Sequence, residues 1–88
     1  MGRYMISYDL KSPTNNRKAV EDSIESLGSW CKYVSTTYLV NTLHSKTSVT
    51  DICTKHLDSN DRMVICEITG SVTGWLNQEQ WNWINKNI

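Results

Sequence analysis

The chain has 88 residues, a length that fits one domain, and a domain of this size buries only about 60% of the surface of its unfolded chain. Nine basic residues balance nine acidic ones, so the sequence lacks the broad positive field of a dedicated nucleic-acid binder, and any nucleic-acid contact must be local. No apolar run approaches the roughly 18 residues of a transmembrane helix, and we expect a cytoplasmic protein.

Strand and helix signals alternate along the first half of the chain. Aromatic and β-branched residues mark strands, apolar residues at helical spacing mark the helix, and Ser35-Thr36 is the expected hairpin turn. The predicted elements are a strand over 4–8, a helix over 16–27 that Gly28 ends, and strands over 30–34 and 37–41.

The second half repeats this order and adds one helix. Thr47 or Ser48 is the expected cap of a second helix, since Asp51 follows Ser48 at the spacing of a capping box. An apolar run predicts a strand over 63–68. Asn77 is the expected cap of a short last helix.

Strand, helix, strand, strand, helix, strand is the order of the ferredoxin-like fold. Right-handed crossovers then predict an α+β domain over residues 1–88 with a four-stranded antiparallel sheet in the order 4-1-3-2. The short C-terminal helix is an addition to that fold. Because so small a protomer exposes sheet edges and apolar side chains, we expect a homodimer.

The end of the first strand is the candidate functional site. Asp9 lies where this strand meets a loop, and the predicted topology brings it near Thr36, Asp61 and Arg62. The expected polar group consists of Asp9, Ser12, Arg17, Ser35, Thr36, Asp61 and Arg62. An equally simple interpretation is that Asp9 caps the turn or pairs with Arg17 or Arg62.

Asp9 is the candidate metal ligand and catalytic residue. Magnesium is usually held by one or two carboxylates together with phosphate and water oxygens, so a second Asp9 from a partner copy would complete the site. The chemistry would be attack of water on a phosphodiester. The expected nucleic-acid contacts are Ser12, Arg17, Thr36 and Arg62.

Other reactive side chains favour structural roles. Cys31, Cys53 and Cys66 are odd in number and lack CxxC spacing, so we expect reduced core thiols. His44 and His56 are expected on the surface. The sequence contains no phosphate-binding glycine loop.

Four tryptophans are many for so short a chain, and most lie in the segment 69–88. Trp75, Leu76 and Trp81 predict an apolar lid that packs on the sheet or on a partner, and base stacking is the alternative. Trp83 lies off that helix face and is the better candidate for an exposed contact.

Short motifs along the chain also resemble a known family. Residues 6–10, Arg17, Leu27-Gly28 and the hairpin over 35–40 resemble the smaller, nuclease-like subunit of the CRISPR spacer-integration complex. Residues 58–61 and 74–76 are similar to SinR-like proteins. The resemblance implies a homodimer of ferredoxin-like protomers, with Asp9 as the metal-binding aspartate of the dimer cleft and double-stranded DNA or RNA as the ligand.

The resulting hypothesis is a homodimer that binds nucleic acid and cleaves phosphodiesters through magnesium held by Asp9 from two protomers. The alternative is a non-catalytic protein-interaction module, such as an inhibitor, an antitoxin-like protein or a scaffold. Its docking surface would be Trp75, Trp81 and Trp83. The neutral net charge favours this alternative.

Overall fold

A computed structural model describes residues 1–11 and 13–88. The elements in chain order are β1 (Gly2–Asp9), α1 (Pro13–Glu25), β2 (Gly28–Val34), β3 (Thr37–Thr42), α2 (Lys46–Thr54), β4 (Arg62–Glu67) and α3 (Gln78–Asn87). The predicted order of strands and helices is confirmed.

The four strands form one antiparallel sheet in the order β2-β3-β1-β4, which is the predicted order read from the other edge. The α+β ferredoxin-like fold with an added C-terminal helix is therefore confirmed. Strand β1 is central and includes Asp9 as its last residue, one residue beyond the predicted strand. In the strand register, Asp9 lies opposite Arg62 on β4.

One face of the sheet packs against α1 and α2. Alternate residues of β1 and β3 point to this face, as the two-residue period of a strand requires. The buried cluster consists of Tyr4, Ile6, Tyr8, Leu10, Val20, Ile24, Leu27, Tyr38, Val40, Val49 and Cys53. This cluster is the main hydrophobic core.

Helix α3 lies on the opposite face, along β2 and β3. The Trp83 indole Nε1–H donates to the Ser29 hydroxyl at 3.0 Å, and the Asn41 side-chain amide donates to the Asn87 carbonyl at 2.8 Å. Leu39 is buried on this face although it lies outside the main core, and Ile84 is the buried residue of α3. The C-terminal helix therefore covers a second, smaller apolar layer.

The β1 and β4 half of this second face is open. Ser7, Asp9, Arg62 and Val64 lie there side by side, and the Val64 residue is 53% exposed. We call these four residues the open half. It lies at one edge of the sheet, and all four of its residues line the candidate site.

Two sequence predictions about helix ends need correction. Ser45 caps α2, in place of Thr47 or Ser48, because its extended backbone lets its side chain accept from the Ser48 N–H. Helix α1 ends at Glu25, and Gly28 opens β2. A Cβ on Gly28 would lie 2.7 Å from the Asn41 carbonyl oxygen, so glycine is needed there for close strand approach.

The three cysteines are free, but only Cys53 is a buried core thiol. Burial raises the pKa of Cys53 to about 11, which keeps this thiol protonated. Cys66 is exposed because its pairing with Met5 places it on the face that α1 and α2 do not cover. The prediction that all three are core thiols is therefore wrong for Cys66, and Cys31 is half-buried.

Among the helices of residues 1–11 and 13–88, none combines the length and apolar character that a membrane span requires.

Candidate functional site

A shallow groove of about 270 Å³ lies at the end of β1 and the start of β4. Its lining residues are Ser7, Tyr8, Asp9, Arg62, Met63 and Val64. The groove combines a hydroxyl, a carboxylate and a guanidinium with apolar side chains. It coincides with the strand end at which the sequence places the site.

The carboxylate of Asp9 faces solvent. Its side chain is 67% exposed, and its Oδ2 atom lies 3.0 Å from the Lys11 ammonium. The interpretation that Asp9 forms an ion pair with Arg17 or Arg62 is therefore wrong: the partner is Lys11, two residues along the chain. Exposed ion pairs of this kind contribute about 0–1 kcal/mol, so the pair leaves Asp9 accessible to a ligand.

Arg62 is held in place by carbonyl groups. Its Nη1 donates to the Ser59 carbonyl at 3.1 Å and to the Asp61 carbonyl at 2.8 Å. Within residues 1–11 and 13–88, no carboxylate forms an ion pair with this guanidinium. Arg62 therefore presents an oriented positive charge that neither of its two carbonyl partners neutralises.

Asp61 organises the loops beneath the site. Its carboxylate accepts from the backbone N–H groups of Lys11 and Asp58, both at 2.8 Å, and from the Asn16 side-chain amide at 2.9 Å. Hydrogen bonds from Asp58 and then Lys11 are the main reasons that the pKa of Asp61 lies below its usual value. Asp61 links the loop after β1 to the loop before β4.

Arg17 is engaged in the protein's own contacts. Its Nε lies 3.3 Å from the Glu21 carboxylate, its Nη2 donates to the Ser35 carbonyl at 2.6 Å, and its guanidinium lies 6.0 Å from the centre of the Tyr8 ring. The sequence assigns Arg17 and Arg62 the same role. The structure separates them, since only Arg62 is without a carboxylate partner among the described residues.

Glu21 is the centre of the network that holds Arg17. It accepts from the Tyr8 hydroxyl at 2.8 Å and from the Lys32 ammonium at 2.6 Å. Burial alone would raise the pKa of Glu21, but the hydrogen bonds from Lys32 and Tyr8 and the nearby charges outweigh it and lower the pKa. Burial, followed by the bond to Glu21, raises the pKa of Tyr8.

The other two residues predicted to contact nucleic acid are Thr36 and Ser12. The Thr36 carbonyl accepts from the Tyr8 N–H at 3.0 Å, so Thr36 lies at the same end of the sheet as Asp9. Ser12 lies outside the described residues.

The tryptophans differ from the lid prediction. Trp75 is 100% exposed, so it protects no surface of the protomer. The predicted Asn77 cap of α3 is confirmed, and Trp75 precedes that cap, so it lies outside the helical face that carries Trp81 and Ile84. Trp81 is half-buried, as expected of a packed residue.

The prediction that Trp83 is the exposed tryptophan is wrong as well. Trp83 is half-buried and donates to Ser29, so α3 uses it as an anchor to β2. The freely exposed indole belongs to Trp75. Both histidines are exposed, as predicted.

A resident magnesium ion does not fit one protomer. Among the residues that the structure describes, no group of three or more metal-binding side chains occurs. Asp61 is close by, but its oxygens already accept three N–H donors, which leaves Asp9 as the accessible carboxylate. A metal at this end of the sheet would need oxygens from a second copy or from the ligand.

Comparisons with known proteins extend the description of the fold. No protein-family model matches the chain, and no curated protein matches it. The fold is similar to the solved structure of a hypothetical protein, TT1823, from Thermus thermophilus, with a TM-score of 0.63 and 18% sequence identity. The match covers 86% of this chain and 94% of that one. At this identity the similarity supports the fold alone.

Sequence reasoning missed two residues that shape the site. Lys11 follows Asp9 by two positions, and that spacing at a strand end is a signal for a local ion pair. Glu21 follows Arg17 at the i,i+4 spacing of a helical ion pair, which predicts that Arg17 is engaged. Both signals are local and visible in the sequence.

Proposed function

We propose that this protein is a nucleic-acid-binding homodimer whose phosphate contact is Arg62. The supporting observation is the state of that guanidinium, which is exposed, fixed by two carbonyl groups and without a carboxylate partner in the described chain. Because its side chain is already held in place, such an arginine loses little side-chain entropy when a phosphate binds. Phosphate is the ligand that its free N–H donors match.

The groove beside Arg62 supports the same proposal. Ser7 supplies a hydroxyl, which lies 3.2 Å from the Thr37 hydroxyl, and Lys11 adds a second cation near the strand end. Asp9 partly offsets this positive charge, so the site attracts an anion only over a short range. This agrees with a chain of zero net charge, in which any phosphate contact has to be local.

The homodimer is part of the proposal. The open half leaves Val64 exposed on β4, an edge strand, and edge strands with apolar surface favour association with another chain. Two copies that meet near β4 would place two Arg62 side chains on one nucleic acid. Two phosphate contacts bind far more tightly than one, because the second is intramolecular.

Cleavage of the bound strand is the catalytic extension of this proposal, with Asp9 as the catalytic residue. One protomer offers a single accessible carboxylate among the described residues of the site, and a magnesium-dependent reaction would need the Asp9 of both copies. Magnesium, when bound, would polarise the phosphate and acidify a water molecule. Binding and cleavage are therefore separate claims with separate tests.

Binding is tested by fluorescence anisotropy with labelled DNA and RNA, as single strands and duplexes, over a series of salt concentrations and in chelator. We expect wild type to bind and Arg62→Ala to bind more weakly, with a salt slope smaller by about one for each phosphate that is no longer neutralised. Lys46→Ala is the matched control, because Lys46 is exposed and pairs with Glu67 at the other end of β4. Absence of binding by wild type at low salt would refute the proposal.

A non-catalytic protein-interaction module is the second candidate. The observation in its favour is Trp75, since a fully exposed tryptophan is the side-chain type most enriched in interface hot spots. In this case Trp75→Ala would abolish binding to a protein partner, whereas Arg62→Ala would leave it unchanged. The two candidates therefore differ at Arg62, whose replacement weakens nucleic-acid binding in the first and leaves protein binding unchanged in the second.

A further inference from the structure

We infer that the ligand of the proposed site is a single strand, or an unpaired end, and that one of its bases stacks on Trp75. This inference rests on the proposed function and goes beyond it, because it names the form of nucleic acid. The two observations that carry it are the full exposure of Trp75 and the anchoring of the first turn of α3, which begins just after Trp75, at the end of the sheet that holds Arg62.

The position of Trp75 follows from the contacts of α3. The Gln80 side-chain amide donates to the Tyr33 carbonyl at 3.1 Å, which fixes the first turn of α3 at the C-terminal end of β2. Asn77 caps that turn, and Trp75 precedes the cap by two residues. Trp75 is therefore tethered within about 7 Å of Asn77.

The same end of the sheet holds the groove. A single row crosses all four strands there, and its members are Val34, Thr37, Ser7 and Val64. Tyr33 immediately precedes Val34, and Ser7 and Val64 line the groove. Because strands are about 4.8 Å apart, the row is about 14 Å long.

Added end to end, these steps place Trp75 within about 40 Å of Arg62. A strand with stacked bases advances about 3.4 Å per nucleotide, so a single strand of about 12 nucleotides reaches both residues. A duplex hides its base faces inside the stack. An exposed indole can therefore add to the binding of unpaired bases but not to that of a duplex interior.

The charges around Trp75 favour a base over a phosphate as the group that binds there. Glu79 lies in the first turn of α3, four residues from Trp75, and offsets the attraction that the positive end of the helix dipole has for a phosphate. Base stacking on an aromatic ring tolerates any sequence, because every base has a π-face. The arrangement therefore predicts phosphate at Arg62 and a base at Trp75, without sequence preference.

The test compares a single strand of about 12 nucleotides, its duplex, and a strand of the same length with abasic linkers. Wild type should bind the base-bearing strand most tightly. Trp75→Ala should weaken that binding roughly 5- to 150-fold, the range measured for loss of one stacked base, and leave binding to the abasic strand unchanged.

Two variants separate stacking from a general apolar contact. Trp75→Phe keeps an aromatic ring and should retain most of the affinity, whereas Trp75→Leu should behave like Trp75→Ala. Leu43→Ala is the matched control, since Leu43 is 82% exposed after the far end of β3. Because Trp75 makes no buried contact, all three Trp75 variants should melt at the wild-type temperature.

The outcomes distinguish this inference from the proposed function. If wild type binds the abasic and base-bearing strands equally and Trp75→Ala has no effect, stacking is wrong and phosphate binding at Arg62 stands. If Trp75→Leu binds like wild type, the contact is apolar and the inference is also wrong. If wild type binds none of the three oligonucleotides, the proposed function fails with it.

Discussion

The carboxylate of Asp61 accepts a hydrogen bond at 2.8 Å from the backbone N–H of Lys11, fifty residues earlier in the chain. This bond joins the loop that follows Asp9 to the loop that precedes Arg62. The two candidate ligand-binding side chains are therefore held at a fixed distance by a third residue that no ligand needs to touch. Asp61 is 6% exposed, so water competes little for these donors.

Replacing Asp61 with Asn should lower the melting temperature. The amide loses the negative charge that three N–H donors approach, and its own NH₂ group opposes at least one of them. The pKa of Asp61 is lowered in the folded state, so its stabilisation is present above its unfolded pKa and is lost as the pH falls through the folded value. The difference in melting temperature between wild type and Asp61→Asn should therefore be large at neutral pH and shrink below about pH 4.

Asp58→Asn is the control for this experiment. Asp58 lies in the same loop but is exposed, and it reaches Asp61 through its backbone N–H and carbonyl rather than through its carboxylate. Its replacement should change the melting temperature little at any pH. If the difference in melting temperature between wild type and Asp61→Asn stayed constant down to strongly acidic pH, the assigned role of the Asp61 charge would be wrong.

Arg17→Ala should affect stability, not nucleic-acid binding. Its guanidinium contacts Glu21, the Ser35 carbonyl and the Tyr8 ring, and the loss of this partly exposed group should cost about 1 kcal/mol of unfolding free energy. Urea denaturation measures that cost, and the anisotropy assay measures binding. An Arg17→Ala variant that keeps its stability but binds as weakly as Arg62→Ala would show that the two arginines share one role after all.

Glu21→Gln should destabilise the protein more than Arg17→Ala. Glu21 accepts hydrogen bonds from the Tyr8 hydroxyl and the Lys32 ammonium and forms an ion pair with Arg17. Its replacement by Gln removes the negative charge that all three of these groups contact. We expect a loss of about 1–3 kcal/mol by urea denaturation. Asp22→Asn is the neighbouring control, because the Asp22 carboxylate forms, among the described residues, only an exposed pair with Lys18. Equal losses of unfolding free energy in the two variants would show that Glu21 is not the centre of the network.

The fold was predictable because its signals are local and repeated. Strand β1 alternates buried and half-buried residues, which is the two-residue period of a strand with one covered face. The crossover rule then restricts the strand order to the one observed. Element ends were less predictable. Ser45 rather than Ser48 caps α2 because backbone conformation decides the cap, and neighbouring serines look alike in sequence.

The site was predictable in place but not in detail. Topology alone brings the end of β1 to the start of β4, so Asp9 and Arg62 could be expected to meet. The i,i+4 spacing of Glu21 predicts one partner of Arg17, but the contact of Arg17 with the Ser35 carbonyl and the lack of a carboxylate partner for Arg62 among the described residues depend on contacts between elements, which spacing does not encode. The exposure of Trp75 was missed although the Asn77 cap was predicted correctly, because Trp75 precedes α3 and residue spacing does not show how the loop before a helix packs.

The oligomeric state provides a fourth test. We expect wild type to sediment as a dimer at micromolar concentration, and Val64→Arg to shift the mass towards that of a monomer, because Val64 is exposed on the edge strand of the open half. Val34→Arg is the control, since Val34 is 59% exposed at the end of β2, the opposite edge strand. A monomeric mass for wild type would refute both the proposed homodimer and cleavage by a metal shared between two Asp9 side chains.

Asp9→Asn separates binding from cleavage. Asp9 has a 67% exposed side chain and pairs only with Lys11 among the described residues, so its neutralisation should leave the melting temperature nearly unchanged. In chelator, the variant should bind nucleic acid as tightly as wild type or slightly more tightly, because a negative charge next to Arg62 has been removed. In magnesium, any cleavage by wild type should be lost, since the side chain that would hold the ion no longer carries charge. Equal cleavage by wild type and Asp9→Asn would assign the activity to another site or a contaminant, and no cleavage by wild type would leave a binding protein without the catalytic extension.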